Sequence, residues 1–155
     1  LHLLRNDEQR QAEFMQARDF VIDYSQNMTY ISNQRIKLSA SSAFYLKMVA
    51  RFALLFASLK VDSMMYPRLL FSDNMEDKGL EQGRAEKFQR TVVRLLKEME
   101  EKKMLETRNL KPETGASALN YQLIFATSMI APELDTKEYV IGDYYNEENK
   151  SLKNV

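Results

Sequence analysis

Two short β-branched and aromatic runs flank Gln26-Asn27 in "FVIDYSQNMTYISNQR", residues 20–35, a pattern that predicts a β-hairpin. From Ser42 to about Leu59 the chain is almost wholly apolar. Its polar positions Lys47, Arg51 and Ser58 are spaced 4 and 7 apart, so they predict one solvent-facing stripe on an otherwise buried helix. Pro67 then interrupts the chain, and "RLLFS" follows as a short continuous apolar run ahead of Asp73. Such a run predicts a central parallel strand covered on both faces. A second long helix is predicted from about Glu81 to Met104, with Ala85, Phe88, Val92, Leu95, Leu96 and Met99 on its buried face. Arg84, Lys87, Arg90, Arg94 and Lys97 alternate with Glu86 and Glu98 and predict its solvated face. "KPETGASALN" reads as a loop and "YQLIFATS" as the next buried strand, which together make a βαβ crossover with a parallel sheet. "KEYVIGDYY" predicts one more short strand, and "NEENKSLKNV", residues 146–155, a polar tail.

Residues 1–18 are polar and helix-prone, with Leu1, Leu4, Glu8, Gln11 and Met15 as the best heptad line. Two of those five seam positions are polar, so the coiled-coil pattern is weak. The expected organisation is a helical segment at 1–18, an α/β body at 19–145 and the tail.

Composition narrows the chemistry. In 155 residues, 22 basic and 22 acidic side chains cancel, so no global field draws the chain toward nucleic acid or an anionic membrane. Cysteine is absent, which excludes disulfides and thiolate metal sites and fits a reducing, cytoplasmic setting. His2 is the only histidine and lies near the end of the sequence, which excludes a Ser/His/Asp triad or a histidine-rich zinc site. The apolar stretch "SAFYLKMVARFALLFASL" is broken by Lys47 and Arg51 and is expected to be a buried helix rather than a membrane span.

Three motifs carry candidate chemistry, each with a plainer reading beside it. "LSASS", Leu38 to Ser42, stands directly before the apolar helix. The unpaired N–H groups of a helix N-terminus bind phosphate when the residues there are small, though an ordinary Ser N-cap gives the same letters. "RLLFS" delivers Asp73 to the carboxyl edge of the sheet, where ligands of α/β folds bind and an Asp holds Mg²⁺; an Asp at a strand end is also a common turn former. "LIFATS" ends in Thr127 and Ser128 at what should be the same edge, where hydroxyls either sense a phosphate or simply end a strand.

Taken in order, these pieces resemble the C-terminal lobe of an ABC-type ATPase head of the SMC-like branch, the chromosome-maintenance, break-repair and phage-defence ATPases. "LSASS" is similar to the family's signature motif LSGGQ/E, "RLLFSDN" to its Walker B strand, "MEDKGLE" to its D-loop and "LIFATS" to its switch strand. The resemblance spans about residues 19–142 and implies a β-hairpin, then a helix and mostly parallel strands flanked by helices. It further implies that ATP and Mg²⁺ lie between two heads. Ser39 would donate to the γ-phosphate of the opposite head's nucleotide, with Ala40 and Ser41 in place of glycines and Ser42 completing the ATP-binding run. Asp73 would position the metal; Asp77, Lys78 and Gly79 would lie along the interface between heads, although the spacing to "LE" is one residue longer than usual.

Two letters depart from the family pattern. Asn74 stands where the catalytic Glu belongs, and an amide orients water without accepting its proton. Ser128 replaces the switch His. The resemblance therefore implies a head that hydrolyses ATP slowly or borrows Glu76 or Asp77 as its acid. The sequence contains no GxxxxGK run followed by Ser or Thr, so the implied partners are an N-terminal Walker A lobe of the same protein, a second head in a homodimer, and DNA through the full assembly, with no membrane. Two other classes stay open. One is a non-enzymatic α/β interaction module whose "LSASS" is only a cap; the other is an independent Mg²⁺-dependent phosphohydrolase using Asp73, Glu76 and Asp77.

Overall fold

The computed structural model describes residues 1–7, 12–31, 38–73, 75, 79–108 and 119–142. In chain order it contains α1 (His2–Arg5), α2 (Ala12–Gln16), β1 (Phe20–Asp23), β2 (Met28–Ile31), α3 (Ala40–Lys60), β3 (Leu69–Asp73), α4 (Gln82–Arg108), β4 (Gln122–Ala126) and a 3-10 turn (Pro132–Leu134). The mixed α/β class is thus as the patterning predicts.

The hairpin forms where expected. β1 and β2 pair antiparallel with Phe20 opposite Ile31 and Asp23 opposite Met28. Asp23 closes the turn: its Oδ1 accepts from the Ser25 hydroxyl at 2.7 Å, the Ser25 amide at 2.9 Å and the Gln26 amide at 3.1 Å. Those bonds, the Ser25 hydroxyl foremost, hold its carboxyl below the usual range. Asn27 takes the left-handed conformation (φ 51°) that an Asx residue tolerates and the reversal requires.

β3 and β4 pair in parallel through the α4 crossover, Leu70 opposite Leu123 and Asp73 opposite Ala126. The expectation that β3 is covered on both faces fails. Leu70 is buried, but Leu69 and Phe71 on the opposite face are 55% and 59% exposed and Ile124 beside them 38%. Strand side chains alternate between faces, and α3 and α4 both pack on the face that carries Leu123 and Phe125.

α3 is capped by Ser39 and ends at Val61, whose amide still reaches the Ala57 carbonyl. Its length and composition do meet those of a membrane span, contrary to the reading that its charges make it too short. Tyr45, Leu46, Val49, Phe52 and Leu55 are nevertheless buried against other elements, as in a core helix. Ser58 leaves the predicted polar stripe: it is fully buried and donates its hydroxyl to the Leu55 carbonyl at 2.7 Å. Lys47 and Arg51 are exposed as expected.

Aromatic rings join the layers. Phe14 stacks on Tyr45 (centroids 6.0 Å), Tyr45 meets Phe88 edge-on (5.5 Å), Phe88 meets Phe52 edge-on (5.0 Å), and Phe52 stacks on Phe125 (5.7 Å). Through Leu3, Leu4, Phe14 and Ala17 the N-terminal segment belongs to this core. The predicted helix over 1–18 is therefore corrected: α1 closes at Asn6, Asp7 lies outside it, and Leu4 packs inward while Leu1 and Met15 stay largely exposed. Among the described residues of "KEYVIGDYY" no strand forms. Tyr139 and Val140 instead bond back to the Thr136 carbonyl in a turn, and residues 143–145 and the tail lie outside the described residues.

Ala85, Phe88, Val92 and Leu96 of α4 are buried as predicted. Arg84 is not on the solvated face. It is 7% exposed and held by Asp7, Nε donating to Oδ1 at 2.8 Å and Nη2 to Oδ2. Among the other described basic residues of α4, Arg90 pairs with Glu86 (3.0 Å) and Glu133 (2.9 Å), and Arg94 pairs with Glu98 (3.8 Å).

Candidate phosphate cap and sheet edge

The first candidate element is the start of α3. Ser39 has extended backbone (φ −62°, ψ 159°), and its Oγ accepts from the Ser42 amide at 3.2 Å, the geometry of an N-cap. No acidic side chain occupies the first turn, so the positive end of the helix dipole is not offset there. Ser39 and Ala40 are exposed, and the Ser39 and Ser41 hydroxyls lie 3.3 Å apart. Ser42 departs from the predicted group. It is 2% exposed, and its Oγ lies 3.5 Å from Arg84 Nη2, so it joins the core rather than a ligand surface.

Replacing Ser39 with alanine should cost roughly 1 kcal/mol of stability, a fall of about 2–4 °C in the thermal midpoint, because one amide of the first turn loses its acceptor. Ser41→Ala should cost less than Ser39→Ala, since Ser41 is half-buried and makes no cap bond. Calorimetric melts of the two variants separate capping from a general loss of hydroxyls.

The second element is the carboxyl edge of the parallel pair. Asp73 ends β3, exposed, opposite Ala126, so Thr127 and Ser128 leave β4 just beyond it. Parallel pairing alone brings these three residues, distant in sequence, to one edge. Thr127 Oγ1 is engaged in turning the chain: it accepts from the Met129 amide at 3.1 Å and lies 3.2 Å from the Met129 carbonyl. Ser128 is exposed at the bend. After Asp73 the chain dips inward at Met75, which is fully buried, and returns to the surface at Gly79 (φ 78°), a left-handed position that suits glycine. Asn74, Glu76, Asp77 and Lys78 lie outside the described residues. Among the described residues no group of three or more acids or histidines is placed to hold a metal ion, so Asp73 is the one member of the proposed acid trio that is placed.

Sequence reasoning missed the buried Asp7–Arg84 pair that ties the first turns of α3 and α4 to the N-terminal segment. Arg84 sits one position before the apolar series that begins at Ala85, within the buried arc of α4, and that spacing was the available cue. Arg84 also lies 4.5 Å over the Tyr45 ring, and the Tyr45 hydroxyl donates to the Leu3 carbonyl at 2.9 Å. Burial, reinforced by Asp7, raises the Tyr45 hydroxyl well above the usual tyrosine value.

No family model matches the chain, and no curated protein or solved structure matches it either.

Proposed function

We propose that this chain is the C-terminal half of an SMC-like ABC ATPase head, which binds ATP and Mg²⁺ where two heads meet and gates their association with weak hydrolysis. The observation that carries this reading is the parallel β3–β4 register. It sets Asp73 beside the Ala126–Thr127 end of the neighbouring strand, with α4 as the crossover and a serine-capped α3 ahead of both. In the proposed assembly Asp73 holds Mg²⁺ or its water, Ser39 and the amides of Ala40 and Ser41 meet the γ-phosphate of the opposite head, and Ser128 takes a second contact. The exposed apolar face formed by Leu69, Phe71 and Ile124 suits a lobe that packs against another, since parallel sheets are covered on both faces. Arg90 and Arg94 of α4 are paired with acids, which favours DNA contact through the assembled complex rather than through these two side chains.

The test is co-expression with a Walker A lobe from the same reading frame, followed by light scattering with and without ATP and Mg²⁺. Nucleotide-dependent dimers are expected, and Ser39→Arg should abolish them by placing bulk and charge at the cap. Asn74→Glu should raise ATP turnover by about 10²-fold or more, the usual effect of a general base. Association that ignores nucleotide would instead support the non-enzymatic α/β interaction module.

A further inference from the structure

The polar stripe of α3 and the β1–β2 hairpin enclose a cavity of about 300 Å³. Lys47, Ala50, Arg51 and Leu54 line it from the helix, at the i, i+3, i+4 and i+7 spacing of a single face. Ile22 and Asp23 line it from the hairpin. Lys47 and Arg51 are exposed, so a molecule arriving from solvent can reach both charged ends. Among the described residues neither makes an ion pair or a side-chain hydrogen bond. Arg90 and Arg94 of α4 each find a glutamate one turn away, whereas α3 contains no acid to play that part. Asp23 is the one carboxylate among the described residues of the lining, and the Ser25 hydroxyl and two turn amides occupy its Oδ1.

Two cations against one carboxylate leave the lining with one positive charge in excess. A ligand with a single negative charge balances that excess, whereas a dianion overshoots it beside Asp23. Arg51 offers a planar fork that matches a carboxylate, and Lys47 a compact charge one helical turn away. Ile22, Ala50 and Leu54 give the same lining an apolar part, and its volume stands at the lower end of small-molecule sites. We propose that the cavity binds a small monocarboxylate with an apolar body, the carboxylate held by Lys47 and Arg51 and the body resting on Ile22, Ala50 and Leu54. Lys47 stands about 12 Å along α3 from its Ser39 cap, so this site is independent of the nucleotide reading and stands or falls separately.

The test titrates the full chain with 2-naphthoate at low salt, followed by ligand-observed NMR. Saturable one-to-one binding is expected, and the uncharged isostere 2-naphthamide should bind about tenfold or more weakly. Lys47→Gln and Arg51→Gln should each weaken 2-naphthoate about threefold to tenfold, and the double substitution should bring it to the level of the amide. Lys60→Gln, which removes a cation of the same helix outside the lining, should leave binding unchanged. All three positions are exposed, so thermal midpoints should stay within about 2 °C of the parent and any lost binding is not lost folding. Acetate, which lacks the apolar body, should bind far more weakly than 2-naphthoate, and 2-naphthyl phosphate no more tightly. Absence of saturable binding, undiminished binding by the double variant, acetate equal to 2-naphthoate, or tighter binding of the phosphate would overturn the proposal.

Discussion

Replacing Phe88 with alanine is expected to remove about 3–5 kcal/mol of folding stability, the cost of deleting a fully packed aromatic ring. Phe88 is 1% exposed and stands edge-on to both Tyr45 and Phe52, so it is the ring through which α4 grips α3. The loss would combine the transfer of its ring to water, the void left between two helices that do not readily close, and two edge-to-face contacts. Domains of this size hold only about 5–15 kcal/mol in total, so the variant should melt about 6–20 °C lower. Phe56, partly buried and tilted 6.5 Å from Phe52, provides the comparison, and its replacement should cost clearly less. Differential scanning calorimetry of the two variants checks the ranking, and a Phe88 loss below that of Phe56 would contradict the described core.

The second large effect concerns Asp7 and Arg84. Their side chains are 3% and 6% exposed, so removing one leaves the other as a buried charge without its counterion. Asp7→Ala or Arg84→Met alone should each cost about 3–5 kcal/mol. The double substitution Asp7→Leu with Arg84→Met should recover most of that loss, because apolar residues of similar size replace a buried ion pair with little net change. Part of the recovery will be missing, since Arg84 also lies on the Tyr45 ring and the methionine gives up the cation–π attraction. There is a local reason for the pair as well. A cation in the first turn of α4 opposes the helix dipole, and the Asp7 carboxylate offsets both. Denaturant unfolding of the four proteins in a double-mutant cycle should return a coupling of about 2 kcal/mol or more. A coupling near zero would mean that the pair behaves as an exposed one.

These two results bear on the functional reading, because Ser42 and Arg84 fix the first turns of α3 and α4 relative to each other and to the N-terminal segment. If the chain forms half of an ATPase head, the Ser39–Ser41 cap, exposed at Ser39 and Ala40, inherits its position from that buried contact. Loss of the ion pair should then disturb nucleotide-dependent association as well as stability.

The candidate site was partly legible. That Ser39 caps a helix follows from the serine-rich stretch preceding an apolar run, a local rule needing no tertiary contact. That Asp73 ends a strand follows from the run "RLLFS" and the polar residues after it. That Ser42 faces inward was not legible: it is 2% exposed, and its Oγ lies near Arg84 Nη2, 42 residues away. Tyr139 was read as part of a strand, since the apolar letters around it carry no information about the Thr136 carbonyl that bends the chain.

By itself, then, the sequence determined the elements whose causes lie within a few residues: the Asx-closed hairpin, the capped α3, the amphipathic α4 and the two apolar strands. It also determined that the given sequence offers no thiolate, because it contains no cysteine. Tertiary structure decided the rest. It exposed one face of β3 by placing both long helices on the other, and it drew Leu3 and Leu4 into the core. It also buried Arg84 against Asp7 and enclosed the Tyr139 hydroxyl. Each of these depends on contacts between residues far apart in the chain, which period and propensity do not encode, because a side chain's burial is set by what packs against its element.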